Sequence, residues 1–386
     1  MNGDVTSRVL FLSRDRGSVQ ATLPVIQTLG SASDFEVHVL STRVSRALLE
    51  ERRIGHEPLD EDWFASEPET CIGTVVGRFQ PAMVVSGSSP ARGPAPETPE
   101  QYLVLEARRR GTPSVGILDN WGRYEERFAV HARGVDTTLV PDRLCVLDRR
   151  SFDDLTSLGI PAAMLTITHN PWVDQFASLS VAGGAAVSSA DVLKIVFASQ
   201  PLAETRYVRD WPFTQESLLD MLVEALPPLA PGRSHELTVW PHPSEDPGRW
   251  VGGRSRRTDV LVLVTDQRGA DALARADLFV TSHSTAAYEA LYHGVPCISL
   301  RPEGGALTTP VIEELGLSRR FENGDDLRRF LASFDPGMLR MELNERRRLL
   351  SAAGLFFSDG RATARVVAEI RSILQNREDR RPDMTR

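Results

Sequence analysis

The stretch ADLFVTSHSTAAYEALYHGVPCISL, residues 276–300, holds a complete pattern of strand, turn, helix and strand. An apolar run at 278–280 stops at Thr281, Ser282, His283, Ser284 and Thr285, and all of these but the histidine carry a hydroxyl. A helical pattern follows over 285–292, closes at Gly294-Val295-Pro296, and gives way to a second apolar run at 297–300. Two short apolar runs joined through a helix predict a parallel strand pair covered by its crossover. The turn between them has two readings. A serine at a helix start is a good cap, because its oxygen accepts a backbone N–H that has no helical partner. Those N–H groups, the positive end of the helix dipole and the hydroxyls of Ser282, Ser284 and Thr285 also suit a diphosphate. Glu289 stands one turn in from Thr285, where its carboxylate can accept from ribose hydroxyls. More hydroxyls are present than capping needs, which favours the ligand.

The same alternation runs outward through the chain. In the second half, strands are expected at 193–198, 236–240 and 260–264 beside the two already read, with helices at 214–225, 270–275 and 310–315. In the first half the strands are 8–13, 36–40, 83–85, 114–118, 137–140, 143–147 and 164–168, with helices at 18–29, 44–52 and 100–110. Residues 88–99, rich in proline and alanine, form a long loop after a strand. Residues 178–190 (SLSVAGGAAVSSA) lack aromatic and charged side chains, contain Gly183-Gly184, and read as a linker. Beyond Asp325 only helices are expected, the last over 362–374, before a charged tail at 377–386. The fold class is therefore α/β, with two doubly wound Rossmann-like domains, 1–177 and 190–386, facing a central cleft.

Length and composition agree. The 386 residues exceed the usual single-domain size, and 41% apolar with 25% charged residues is a globular balance. A formal net charge of -8 gives no global attraction for nucleic acid or an anionic membrane surface. Lys194 is the sole lysine, so arginine is the default cation and a single arginine says little about function. Cys71, Cys145 and Cys297 are far apart, show no metal-ligand spacing, and read as buried small hydrophobes. The chain shows no signal peptide and no transmembrane run, so a cytoplasmic location is expected.

Other strand ends carry candidate residues. WPHPSE, residues 240–245, delivers His242 between two prolines that stiffen its loop. A held imidazole there can donate to a phosphate or a leaving group, or the segment is an ordinary surface loop. Ser199 and Gln200 end the strand at 193–198 and would lie at the floor of the cleft. In the first half, Asp119, Asn120 and Trp121 end a strand. Asp119 is the best-placed general base there, or a cap for the next segment. Arg14, Arg16 and Ser18 occupy the first strand-to-helix loop, and His169-Asn170-Pro171 reads as a turn. The opening strand runs into Ser13-Arg14-Asp15-Arg16-Gly17-Ser18, so the glycine fingerprint of nicotinamide binding is missing, as is a P-loop.

Taken together, these segments resemble GT-B-fold proteins. The 276–300 stretch is similar to their nucleotide-diphosphate-binding segment, where a strand, a Ser/Thr/Gly turn and a helix with a glutamate precede G-x-P and another strand. WPHPSE resembles the histidine loop of the UDP-N-acetylglucosamine 2-epimerase and CDP-glycerol glycerophosphotransferase branches, and LTITHNPWVDQF looks like the TGNPxxD segment that ends the N-terminal domain. The resemblance implies that Ser282, Ser284 and Thr285 contact the donor diphosphate and Glu289 the ribose, with His242 beside the phosphates or the sugar; His283, Ser199 and Gln200 are further candidate binding residues. It also implies that the last helix crosses back onto the first domain. Non-hydrolysing epimerases carry H-x-E-A-G-x-R in the first domain, whereas the corresponding strand here ends in ILDNWGR. The expected function is therefore a metal-independent glycosyltransferase without a cofactor, moving a sugar from a nucleotide diphosphate donor to an unidentified acceptor (polysaccharide, lipid-linked sugar or small molecule). Asp119 and His242 are its candidate catalytic residues. An epimerase-like or sugar-nucleotide-hydrolysing enzyme and a non-catalytic nucleotide-sugar-binding protein are the alternatives.

Overall fold

The computed structural model describes residues 6–91, 97–128, 137–178, 192–204, 213–229, 231, 234–242, 244–250, 257–265, 270–302, 311–356 and 358–379. The chain divides into two compact units: Met1–Ser178 with Gly354–Arg386, and Leu179–Ala353. The expected linker falls almost wholly on 179–191, outside the described residues.

In chain order the first unit contains β1 (Ser7–Ser13), α1 (Arg16–Gly30), β2 (Phe35–Ser41), α2 (Arg43–Glu51), β3 (Glu57–Pro58), α3 (Glu61–Ser66) and α4 (Pro68–Phe79). It continues with β4 (Met83–Ser86), α5 (Pro99–Arg110), β5 (Ser114–Ile117), α6 (Tyr124–Phe128), β6 (Arg143–Val146), α7 (Arg149–Ser157) and β7 (Leu165–Ile167). The second unit contains β8 (Lys194–Ala198), α8 (Gln215–Ala225), β9 (His235–Trp240), β10 (Val260–Val264), α9 (Ala270–Arg275), β11 (Leu278–Thr281) and α10 (Ala286–Tyr292). After them come β12 (Cys297–Leu300), α11 (Val311–Glu314), β13 (Ser318–Phe321), α12 (Gly324–Ala332) and α13 (Pro336–Ala352). The last helix, α14 (Ala362–Glu378), belongs to the first unit.

Among the described residues all strand pairs are parallel. The order is β3-β2-β1-β4-β5-β6-β7 in the first sheet and β10-β9-β8-β11-β12-β13 in the second. In both, the order reverses beside the first strand, at β1/β4 and at β8/β11. In open α/β sheets ligands bind outside the carboxyl ends of the strands at such a reversal.

Period-two alternation explains the double cover. In β1, Val9 and Phe11 pack with Val25, Ile26 and Leu29 of α1, while Leu10 and Leu12 face the opposite way onto Ile72 and Val76 of α4 and Leu103 of α5. The second core gathers Ile195, Phe197, Leu237, Val239, Leu278 and Val280 beneath Leu218 and Leu222 of α8. Cys71, Cys145 and Cys297 are buried and free.

The return of α14 is anchored by the LTITHNPWVDQF segment. Val366, Val367, Ile370 and Leu374 form one apolar stripe and join the α1 side of the first core. At its start the Asp174 carboxylate accepts from the N–H groups of Ala362 (2.9 Å) and Thr363 (2.8 Å), supplying the cap that the helix's own residues do not. Asn170 donates to the carbonyl of Asp119 at 2.9 Å and accepts from Trp172 N–H at 3.0 Å. His169 adopts φ 64°, so the expected turn is present and sharp.

Two expectations change. Residues 137–140 are not a strand: Thr137–Leu139 form a 3-10 turn. Val140 N–H bonds back to Thr137, and Arg108 donates to the carbonyls of Thr137 and Val140, so these groups are satisfied outside any ladder. The helix after β11 begins at Ala286 rather than near Ser284, and is seven residues long.

Candidate functional site

In the second unit, the ends of β8, β9, β11 and β12 carry the polar residues. Where these strands leave the sheet, Ser199-Gln200, Pro241-His242, Ser282-Thr285 and Arg301 begin the loops. Thr281 builds the turn. It is 1% exposed, its hydroxyl donates to the carbonyl of Ala198 on β8 (3.1 Å), and its Oγ1 accepts from Ser284 N–H (3.1 Å). Ser284 Oγ in turn accepts from Ala286 N–H at 3.2 Å, so it holds the first N–H of α10 from the position before the N-cap, Thr285, which makes no side-chain cap bond. Its hydroxyl hydrogen still has to find an acceptor. Among the described residues, the N–H groups of His283 and Thr285 make no hydrogen bond, and the Thr285 side chain is exposed. The turn therefore presents backbone and hydroxyl donors together. A helix of only seven residues adds little dipole, so these local donors carry any attraction for an anion.

His283 and Arg301 set the electrostatics. His283 Nδ1 lies 3.0 Å from Ser282 Oγ. Burial, aided by the nearby Arg301 charge, pushes the His283 imidazole down to about 4, so it is neutral at pH 7. Arg301 is 3% exposed and meets Glu313 at 3.2 Å. One arginine with its partner carboxylate thus lies behind the hydroxyl turn.

The β9 loop is braced by Glu245. His242 N–H donates to Glu245 Oε2 (2.7 Å), Glu245 N–H donates back to the His242 carbonyl (2.8 Å), and Ser199 Oγ donates to Glu245 Oε1 (2.9 Å). One carboxylate thereby ties the end of β8 to the loop after β9. Burial raises the Glu245 carboxyl above its ordinary range. Ser199 is 1% exposed and committed to this brace. Pro243, the second proline of the loop, lies outside the described residues.

In the first unit, Asp119 follows β5. Its Oδ1 accepts from Arg127 (2.5 Å) and from Ser88 Oγ (3.1 Å), and Arg127 also bonds the Ser88 carbonyl. Its Oδ2 lies over Gly17, where an added Cβ would stand 2.6 Å away, so glycine permits that approach. Burial raises the Asp119 carboxyl; the Arg127 charge opposes this and Asp15 adds to it. Among the described residues, Asp119 makes no capping bond to the next segment. Ser18 is fully buried beneath Ser88 and Ser89, and Arg14 donates to the carbonyl of Pro90 (2.7 Å), so this loop is tied to the end of β4.

The structure thus brings Ser199, Gln200, His242, Ser282, His283, Ser284 and Thr285 to one end of the second sheet, with Glu289 half-buried on α10. Asp119 belongs to the other unit. Sequence reasoning missed Glu245, Arg301 and Arg127. Arg301 was hidden by the abundance of arginine, and Glu245 stood in the quoted WPHPSE segment without an assigned role. Among the described residues, no group of three His, Cys, Asp or Glu side chains is placed to hold a metal ion, and no helix is long and apolar enough to cross a membrane.

No protein-family model matches the chain, and no curated protein sequence is similar to it. Solved structures are similar in fold. UDP-GlcNAc 2-epimerase from Neisseria meningitidis bound to UDP-GlcNAc aligns with TM-score 0.64 at 14% identity, over 95% of this chain and 100% of that one. The glycotransferase of kitacinnamycin gives 0.61 at 19%, over 96% and 99%. MurG from Acinetobacter baumannii gives 0.61 at 13%, over 95% and 99%. Each unit is thus a Rossmann-like parallel α/β sheet, and the fold matches that of GT-B proteins such as these, as the sequence resemblance implied.

Proposed function

We propose that the chain is a metal-independent glycosyltransferase that uses a nucleotide diphosphate sugar as donor. The carrying observation is the meeting of His242, His283 and the Ser282–Thr285 donors at the β8/β11 reversal of the second sheet. The donor diphosphate would rest on the turn, accepting from His283 N–H, Thr285 N–H and the adjoining hydroxyls, with Glu289 receiving the ribose. As the glycosidic bond breaks, negative charge grows on the leaving phosphate, and fixed donors aimed at it lower the barrier. His242 is the proposed donor to that phosphate. Asp119 is the proposed base for the acceptor hydroxyl; its raised affinity for a proton suits that task, whereas its Arg127 pairing must loosen for Oδ1 to take part.

A second reading, epimerisation of the donor sugar, is favoured by the recurrence of UDP-GlcNAc 2-epimerases among the similar folds. A third, binding without turnover, shares the same pocket. Incubating the protein with UDP-sugars, with and without a panel of sugar acceptors, and reading products by mass spectrometry and NMR separates all three. A glycosyltransferase forms a new glycoside only with acceptor. An epimerase converts the sugar without one, and a binder leaves the donor unchanged throughout.

A further inference from the structure

We infer that Glu245 is a positioning residue that locks His242 as a neutral imidazole carrying its proton on Nε2, making it a hydrogen-bond donor and not a base at the donor site. The inference rests on the proposed donor site for its meaning, but on His242's own contacts for its content. Ser244 N–H points to His242 Nδ1 at 3.2 Å. A backbone N–H can only donate, so Nδ1 is an acceptor and the ring hydrogen of the neutral form sits on Nε2. Ser244 Oγ, 2.7 Å from the same nitrogen, must then donate as well. This pattern requires His242, Ser244 and Glu245 to stay closed on one another in a single hydrogen-bonded cluster. Glu245 closes it through two backbone-level bonds, Oε2 with His242 N–H and Glu245 N–H with the His242 carbonyl, and fastens it to β8 through Ser199. Arg249 and Glu204 are the charged groups whose fields reach the Glu245 carboxyl; they oppose one another there, so the brace is not governed by a single neighbouring charge.

The consequence is a division of labour. An Nε2–H donor can stabilise a phosphate oxygen and hand its proton to it, but it cannot accept a proton from an acceptor hydroxyl through that nitrogen. Proton removal would then fall to another group.

The test begins on the free protein. With histidine labelled by nitrogen-15, long-range proton–nitrogen correlation spectra at pH 8 assign the His242 tautomer. The Nε2–H form is expected in the parent; a dominant Nδ1–H form would overturn the inference whether or not any nucleotide binds. Glu245→Ala should give mixed tautomers, and its UDP affinity should fall by roughly tenfold or more. Glu245→Gln should rescue both, since its amide oxygen can still accept from His242 N–H while the amide nitrogen donates to a rotated Ser199 hydroxyl. Ser199→Ala, which keeps the loop's own bonds, should retain the Nε2–H form with an affinity loss below that of Glu245→Ala. Identical His242 spectra and UDP affinity in parent and Glu245→Ala would overturn the positioning role. A parent that shows the Nε2–H form, loosened by Glu245→Ala, but binds no UDP supports the positioning role and removes the proposed donor site.

Discussion

Replacing Thr281 by valine should loosen the second unit at the point where its proposed site is built. Valine keeps the shape and removes the hydroxyl. Two bonds go: Oγ1 to Ser284 N–H and hydroxyl to Ala198 carbonyl, each 3.1 Å, at a residue 1% exposed. Ser284 N–H is left without a partner beneath a residue only 9% exposed, and an unsatisfied buried donor costs about 1–3 kcal/mol. The lost bond to Ala198 adds about 1 kcal/mol, for a sum of about 2–4 kcal/mol. Thr281→Ser keeps the hydroxyl and loses one methyl, about 1 kcal/mol. Native-state hydrogen exchange reads the difference locally. Amides of β8 and β11 that exchange through opening of the second unit should lose roughly 30- to 1000-fold in protection in the valine variant and far less in the serine variant. Equal protection in the two variants would refute the claim that the hydroxyl builds the turn.

Four further outcomes are expected. Asp174→Ala removes the external cap of α14 and should destabilise the first unit by about 1–2 kcal/mol in urea melts, with Asp174→Asn recovering part of the loss. Ile370→Ala, at a fully buried position of the same helix, should cost about 2–5 kcal/mol by the same measurement. His283 is held down at about 4 against an ordinary 6.5, so its contribution is present above 6.5 and lost as pH falls through 4; stability should fall across that window by at most about 3.4 kcal/mol, lowering the melting temperature, and His283→Gln should flatten the slope. Asp119→Asn should leave donor affinity unchanged while turnover falls by roughly 100-fold, and because it strips Arg127 of its buried counter-charge the variant should also melt lower.

The parts of the fold that were legible are those with local causes. Val9–Leu12, Ile195–Phe197 and Leu278–Val280 are apolar on both faces because helices cover both sides of each sheet, and such runs stand out. β3 and β13 escaped notice for the converse reason. Glu57–Pro58 is too short to show a pattern, and Ser318–Phe321 reads as polar because it lies at a sheet edge. Residues 137–140 looked like a strand through their threonines and valine, but Arg108, about thirty positions away, takes two of their carbonyls. The site divides the same way. Its hydroxyls and His242 announce themselves at strand ends. The Ser199–Glu245 bond joins residues 46 positions apart, and the Arg127–Asp119 pair depends on how a short helix folds back; neither has a periodic signature.

The most direct measurement is a calorimetric titration of nucleoside diphosphates, UDP first, into the parent and into Thr285→Ala. The Thr285 side chain is exposed and makes no capping bond, so its loss should leave the melting temperature unchanged and report on ligand contact alone. A donor site at the end of the second sheet predicts saturable binding by the parent and a loss of roughly 1.5–3 kcal/mol in the variant, the worth of a hydrogen bond to a charged group. Glu289→Gln should weaken nucleosides in proportion to their ribose hydroxyls. No binding of any nucleoside diphosphate by the parent, or both variants binding as tightly as the parent, would contradict the account.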